Sequence, residues 1–155
     1  MKTLIIMSAI PASGKSTWAA KYQATHPNTY IVSSDAIRME LNGGDYTNYT
    51  KQDLVWKTFS ERIHEYGKIE GATVILDALN DLNILRKKYV EENPEFDRRV
   101  LVLLPFDKEK SIYYNSLRPE GMKVPDDVMP ILINKFEQPT EEILALFDEV
   151  IRVEW

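Results

Sequence analysis

The segment Ala9-Ile-Pro-Ala-Ser-Gly-Lys-Ser-Thr17, entered from the apolar run Leu4-Ile-Ile-Met7, constrains this chain more than any other stretch. An apolar strand leading to a small-residue turn and then a helix makes a phosphate-binding loop (P-loop). The backbone N–H groups of Ala12, Ser13, Gly14, Lys15, Ser16 and Thr17 are expected to face inward onto phosphate oxygens. Lys15 brings a mobile positive charge to the β- and γ-phosphates, and the Ser16 hydroxyl is placed to ligate Mg²⁺. A helix starting at about Lys15 points its N-terminal dipole at the same group. Ala9 stands in the first glycine position of the GxxxxGKS/T pattern, a substitution such loops tolerate. The competing interpretation is a short secretory signal, with Met1-Lys2 ahead of an apolar stretch and small residues from Ser8 to Ser13. Its apolar core is barely long enough, and cleavage there would destroy the loop.

A chain of 155 residues suits one domain spanning 1–155 with a real core. No segment approaches the ~20 apolar residues of a membrane span. The absence of cysteine excludes disulfides, thiol nucleophiles and Cys-built zinc sites, and suits a cytoplasmic protein. A net charge of −5 argues weakly against broad nonspecific binding to nucleic acid but leaves room for a local basic groove.

Hydrophobic periodicity alternates between strand and helix. Strands are predicted at about Thr3 to Ser8, Tyr30 to Ser33, Thr73 to Leu76 (ending at Asp77), Arg99 to Leu104 and Glu149 to Glu154. Helices are predicted from about Lys15 to Thr25, Asp35 to Leu41, Gln52 to Glu70 and Asn83 to Glu92. Three more are expected near Lys108 to Leu117, Asp126 to Phe136 and Glu141 to Phe147. In the long helix, Val55, Trp56, Phe59, Ile63 and Tyr66 form one apolar stripe. Short apolar strands separated by helices imply an α/β fold, a parallel sheet covered on both faces. Ligands then sit at the carboxyl ends of the strands.

Three further constellations bear on chemistry. Ser34-Asp35-Ala-Ile-Arg38 puts a carboxylate and a guanidinium on one face of a helical turn, at the carboxyl end of a strand. A phosphoryl acceptor hydroxyl needs such a carboxylate to orient it and take its proton, and the arginine could hold a phosphate. The bland alternative is that Ser34 or Asp35 caps the helix. Val74-Ile-Leu-Asp77 is an apolar strand ending in Asp, which would lie near the metal directly or through water. Asn80 and Arg86 are candidate acceptor contacts, Arg86 being equally readable as part of a surface Arg-Lys-Lys run. Leu117-Arg118-Pro-Glu-Gly-Met-Lys-Val-Pro125 reads as a lid, at about 118–125, that brings an arginine to the transferring phosphate. It could also be a plain surface loop.

Other features are set aside. Asn134-Lys135-Phe-Glu137 imitates a guanine-reading motif, but Glu replaces Asp and no Asp-x-x-Gly switch follows the P-loop. His26 and His64 lack ligand spacing. Trp18, Trp56 and the tyrosines are assigned to packing, although Tyr46 and Tyr49 lie in a polar loop that could line an acceptor groove.

Together these residues resemble the P-loop polynucleotide 5′-hydroxyl kinase family, especially the kinase domain of phage polynucleotide kinases. The matching pieces are Pro11-Ala-Ser-Gly-Lys-Ser-Thr-Trp18, Asp35 with Arg38, Val74-Ile-Leu-Asp77-Ala-Leu-Asn80, Val124-Pro125 and Phe136-Glu137-Gln-Pro139. The resemblance implies an adenylate-kinase-like three-layer sandwich with a five-stranded parallel sheet and a small helical lid. It implies ATP and Mg²⁺ on Lys15 and Ser16, with Asp35 as general base and Arg38 on the acceptor's phosphate. Arg118 would be the lid arginine on the donor. Nucleic acid would be the substrate, no protein partner is implied, and a phage-encoded protein would work in the host cytoplasm. Bifunctional relatives carry a phosphatase domain after the kinase, and this chain stops short of one, so it is expected to phosphorylate ends without removing 3′-phosphates.

The alternatives keep the chemistry but change the acceptor to a hydroxymethylated base in DNA, a nucleoside or nucleotide, or a small metabolite. A further alternative is a non-catalytic nucleotide-dependent binding module. Oligomeric state stays open.

Overall fold

The computed structural model describes residues 1–44 and 50–155, so Tyr46 and Tyr49 lie outside the described residues. Five strands form one parallel sheet: β1 (Thr3–Ser8), β2 (Thr29–Ser33), β3 (Thr73–Asp77), β4 (Arg98–Leu103) and β5 (Glu149–Arg152). Their order is β2-β3-β1-β4-β5. The chain therefore leaves the central β1 for strands on one side and later returns to strands on the other. That reversal opens a crevice at the carboxyl ends, where a ligand can meet backbone from both directions.

Apolar runs buried on both faces explain the parallel pairing. In β1, Leu4 and Ile6 join one core cluster while Ile5 and Met7 join the other. The first cluster is covered by α2 (Ser34–Leu41), α3 (Gln52–Gly67), α4 (Asn83–Glu92) and α7 (Glu141–Leu144), through residues such as Ile37, Phe59, Tyr89 and Ile143. The second is covered by α1 (Lys15–Thr25), through Ala19 with Trp18 and Tyr22. The predicted stripe of α3 is the face that packs: Val55, Phe59 and Ile63 are fully buried, with Trp56 and Tyr66 at its margins. A satellite cluster of Ile10, Val124, Met129 and Ile133 ties α6 (Met129–Lys135) to the P-loop.

Helix ends depart from expectation for local reasons. Helix α6 begins at Met129 rather than about Asp126, because Pro130 lacks an N–H and fits only the first turn. Helix α3 stops at Gly67, after which Lys68 and Ile69 donate to carbonyls three residues back. Gly67 also lets the Phe96 ring approach, since a Cβ there would sit 3.1 Å from it. Residues 118–125 carry turns and no helix; α5 (Lys108–Ser116) and α6 frame them. No helix among the described residues is long and apolar enough to cross a membrane.

Candidate active site

The P-loop leaves β1 and is shaped by its own backbone. Ala12 and Gly14 hold φ values of 58° and 93°. Ala12 thus takes a conformation uncommon for a residue with a Cβ, whereas Gly14 adopts its own freely. Ser13 Oγ donates to the Ile10 carbonyl at 2.8 Å, and the Ala9 N–H donates to the Leu79 carbonyl at 2.8 Å. The second bond fixes the start of the loop against the segment that follows β3.

Four charged side chains converge on this loop. Lys15 Nζ lies 3.5 Å from Asp77 Oδ1 and 3.6 Å from Asp35 Oδ2. Arg38 Nη1 donates to Asp35 Oδ1 at 2.8 Å, and its Nε donates to Gln52 Oε1 at 3.0 Å. The Arg38 side chain is only 5% exposed and that of Asp35 is 38% exposed, so Asp35 is the open carboxylate between two cations. Ser33 Oγ, neither Ser34 nor Asp35, caps α2 by accepting the Ala36 N–H. The capping alternative for Asp35 therefore falls, and its carboxylate is left to the site.

Burial is the largest influence on Lys15 and lowers its pKa, and Arg118 acts the same way. Asp77 and Asp35 outweigh both and raise it above its ordinary 10.5. Ser16 Oγ donates to Asp77 Oδ2 at 3.0 Å, while buried Asp77 Oδ1 has no hydrogen-bond partner among the described residues. A hydroxyl beside a carboxylate oxygen with spare capacity is a donor set that fits Mg²⁺.

Three cavities that share lining residues surround this cluster. The first, about 410 Å³, is lined by Asp35, Arg38, Gln52, Trp56, Lys88 and Lys135, among others. The second, about 430 Å³, lies beside the P-loop between Trp18, Lys21, Leu104, Tyr114, Arg118 and Trp155. A small gap between them is lined by Lys15, Asp35 and Arg118. Asp35 is common to the gap and the first cavity, and Arg118 to the gap and the second.

Of the two further candidate acceptor contacts, Arg86 belongs to the framework, whereas Asn80 both lines the first cavity and bonds to the framework. Arg86 is completely buried. It donates to Ser8 Oγ, to the Asn80 and Glu137 carbonyls and to Asn83 Oδ1, at 2.6–3.1 Å. It has no surface with which to meet an acceptor, and burial pushes its pKa down to about 10. Asn80 holds φ at 41° and donates through Nδ2 to the Met7 carbonyl at 2.7 Å, so it borders the first cavity while bracing its floor.

The sequence did not single out Trp18, Tyr114 and Trp155 for the second cavity, nor Gln52, Lys88 and Lys135 for the first. Tyr114, in the last turn of α5, and Arg118, two residues past its end, line the same cavity. Lys135 lines the first cavity, and none of Asn134, Lys135 or Glu137 lines the second, so that segment does not read a base beside the P-loop.

A family described as AAA domain matches residues 4–139, and this chain belongs to it as a P-loop kinase-like member. Its fold is shared by Chaetomium thermophilum Kti12, solved in complex with ADP-AlF3 (TM-score 0.69, 16% identity, 98% of this chain and 89% of that one). A chain of the Pnkp1/Rnl/Hen1 RNA repair complex aligns at TM-score 0.73 and 19% identity over 95% of this chain. This chain spans only 46% of that one. A gluconokinase from Sinorhizobium meliloti 1021 aligns at TM-score 0.64 and 17% identity, covering 97% of this chain and 81% of its own.

Proposed function

We propose that this protein is an ATP-dependent kinase that transfers the γ-phosphate to the 5′-hydroxyl of a DNA or RNA strand. The observation that carries it is Asp35, an open carboxylate at the wall shared by the acceptor-sized cavity and the gap reached by Lys15 and Arg118. In this reading the second cavity takes the donor nucleotide, its base against Trp18, Tyr114 and Trp155. The P-loop amides and Lys15 hold the β- and γ-phosphates. Mg²⁺, held by Ser16 and Asp77, neutralises charge on those phosphates when bound.

The acceptor lies in the first cavity with its hydroxyl against Asp35, oriented by the Arg38–Gln52 pair. As its oxygen bonds to the γ-phosphorus, the bond to the β-phosphate oxygen breaks, the proton passes to Asp35, and ADP leaves. Arg118 offsets charge on the transferring group, and loop 118–125 limits the water that would otherwise hydrolyse the donor. ATP as donor suits a cytoplasmic setting.

A second acceptor class, a small polyhydroxy metabolite, is favoured by one observation: buried Asp81 gives the first cavity a second carboxylate suited to hydroxyl groups. The test is transfer from γ-labelled ATP to a panel of 5′-hydroxyl DNA and RNA strands, duplex with hydroxymethylated bases, nucleosides, nucleotides and sugars. Label at 5′ ends that vanishes in Asp35→Asn supports the proposal. Label only on a sugar or a modified base keeps the kinase and overturns the acceptor. ATP binding without transfer to any acceptor favours the non-catalytic nucleotide-dependent binding module.

A further inference from the structure

The first cavity carries two lysines that the transfer reaction does not use. Lys88, on α4, and Lys135, at the end of α6, both line it and are exposed. Neither forms an ion pair among the described residues, although the adjacent Lys87 is paired with Glu91. Lys88 Nζ instead rests 5.5 Å from the Tyr89 ring centroid. In a chain of net charge −5, the cations lining this cavity, Arg38, Lys88 and Lys135, outnumber its carboxylates, Asp35 and Asp81, and so mark a local anion preference.

In the same cavity the Arg38 guanidinium is engaged by Asp35 beside the P-loop. Trp56 and Tyr89 line the cavity together with these cations. Cation and aromatic wall in combination are how single-stranded sites hold a backbone phosphate and a base together.

We propose that Lys88 and Lys135 form a second phosphate site, which receives an internucleotide phosphate farther along the strand from the acceptor end than the phosphate at Arg38. The site makes the protein prefer strands to mononucleotides, and it rests on the kinase reading given above.

The experiment uses two acceptors, a nucleoside 3′-phosphate and a 5′-hydroxyl trinucleotide, with wild type and the Lys88→Gln/Lys135→Gln double variant. Transfer (kcat/KM) and equilibrium binding are both measured across a salt series. With wild type, the trinucleotide is the better acceptor and shows the steeper salt dependence. The double variant should lose most of the trinucleotide's advantage and flatten its salt slope by roughly 0.7 per phosphate contact removed. An unchanged slope, or equal losses on both acceptors, overturns the site while leaving the kinase intact. Salt-dependent trinucleotide binding that the double variant weakens, with no transfer, keeps the site and overturns the kinase reading. No binding of either acceptor by wild type overturns both.

Discussion

Asp35 Oδ2 stands 3.6 Å from Lys15 Nζ, so the proposed base and the P-loop lysine share one electrostatic environment. With its pKa raised, Lys15 stays charged across the neutral range. Asp35→Asn removes the proton acceptor but leaves the P-loop amides and Lys15 in place. It should reduce kcat by ~10²–10⁴ with little change in ATP affinity. Lys15→Ala should abolish transfer and weaken ATP binding as well. Single-turnover transfer alongside calorimetric ATP titration separates the two; equal loss of ATP affinity in Asp35→Asn would make it a donor-site residue.

Arg38 bridges Asp35 and Gln52, and its side chain is nearly inaccessible. Arg38→Ala removes a charged hydrogen-bond donor facing the acceptor cavity, an effect of ~1.5–3 kcal/mol, or roughly tenfold to a hundredfold. It should appear mainly as a higher acceptor KM, with Gln52→Ala giving a weaker form of the same change. A collapsed kcat at unchanged acceptor KM would move Arg38 to the donor side.

The P-loop, the strand-end carboxylates and the sheet were legible because each is written in contiguous residues with a fixed period. Arg86 was not, because the acceptors that bury it lie in β1, in the loop after β3, in α4 and after α6. An Arg-Lys-Lys run looks solvated until that convergence is known. The same dispersal hid the second cavity, which Trp18, Tyr114 and Trp155 line from three distant elements. Ser33 as the α2 cap was also missed, since Ser34 and Asp35 are equally good caps by residue type alone.

Arg86 should therefore behave as a framework residue. Arg86→Met removes every hydrogen bond that Arg86 donates to Ser8 Oγ, Asn83 Oδ1 and the Asn80 and Glu137 carbonyls, leaving Ser8 and Asn80 only their bond to each other, and should lower stability by at least ~1.5–3 kcal/mol. Arg86→Lys should recover little, because an ammonium cannot reproduce the planar fork. Chemical denaturation measures this directly. A stable Arg86→Met protein with a raised acceptor KM would restore Arg86 to the acceptor site.

Tyr89 supplies a pH-dependent test of the cavity wall. Burial is the main cause that raises its phenol pKa to about 12 from 10.0, and Glu92 adds to it. Between those values the unfolded chain releases the proton while the folded protein keeps it. The unfolded state then binds fewer protons, so stability falls as pH rises through this window. Relative to Tyr89→Phe, wild type should lose up to roughly 2–3 kcal/mol on approaching the folded value, and nothing below the unfolded one. Urea unfolding of both proteins on either side of pH 10.0 tests it. Parallel stability curves would place the hydroxyl in water.

The loop that carries Arg118 is pinched shut at its base by one side chain. Asn115 is buried; its Nδ2 donates to the Val124 carbonyl at 2.7 Å, and its Oδ1 accepts the Val124 N–H at 2.9 Å. Val124 is itself packed with Ile10, Met129 and Ile133. The pair therefore sets where the loop starts and ends relative to the P-loop. Asn115→Ala leaves two buried backbone groups unpaired, at ~1–3 kcal/mol each, and frees the loop. Both thermal stability and kcat should fall. Arg118→Ala should leave stability near wild type and lower kcat by up to ~10³–10⁵, the range an arginine on a transferring phosphate can supply. Melting curves and steady-state rates for the two variants decide the clamp's role. Asn115→Ala with reduced stability but an unchanged kcat would show that the clamp shapes the loop without positioning Arg118.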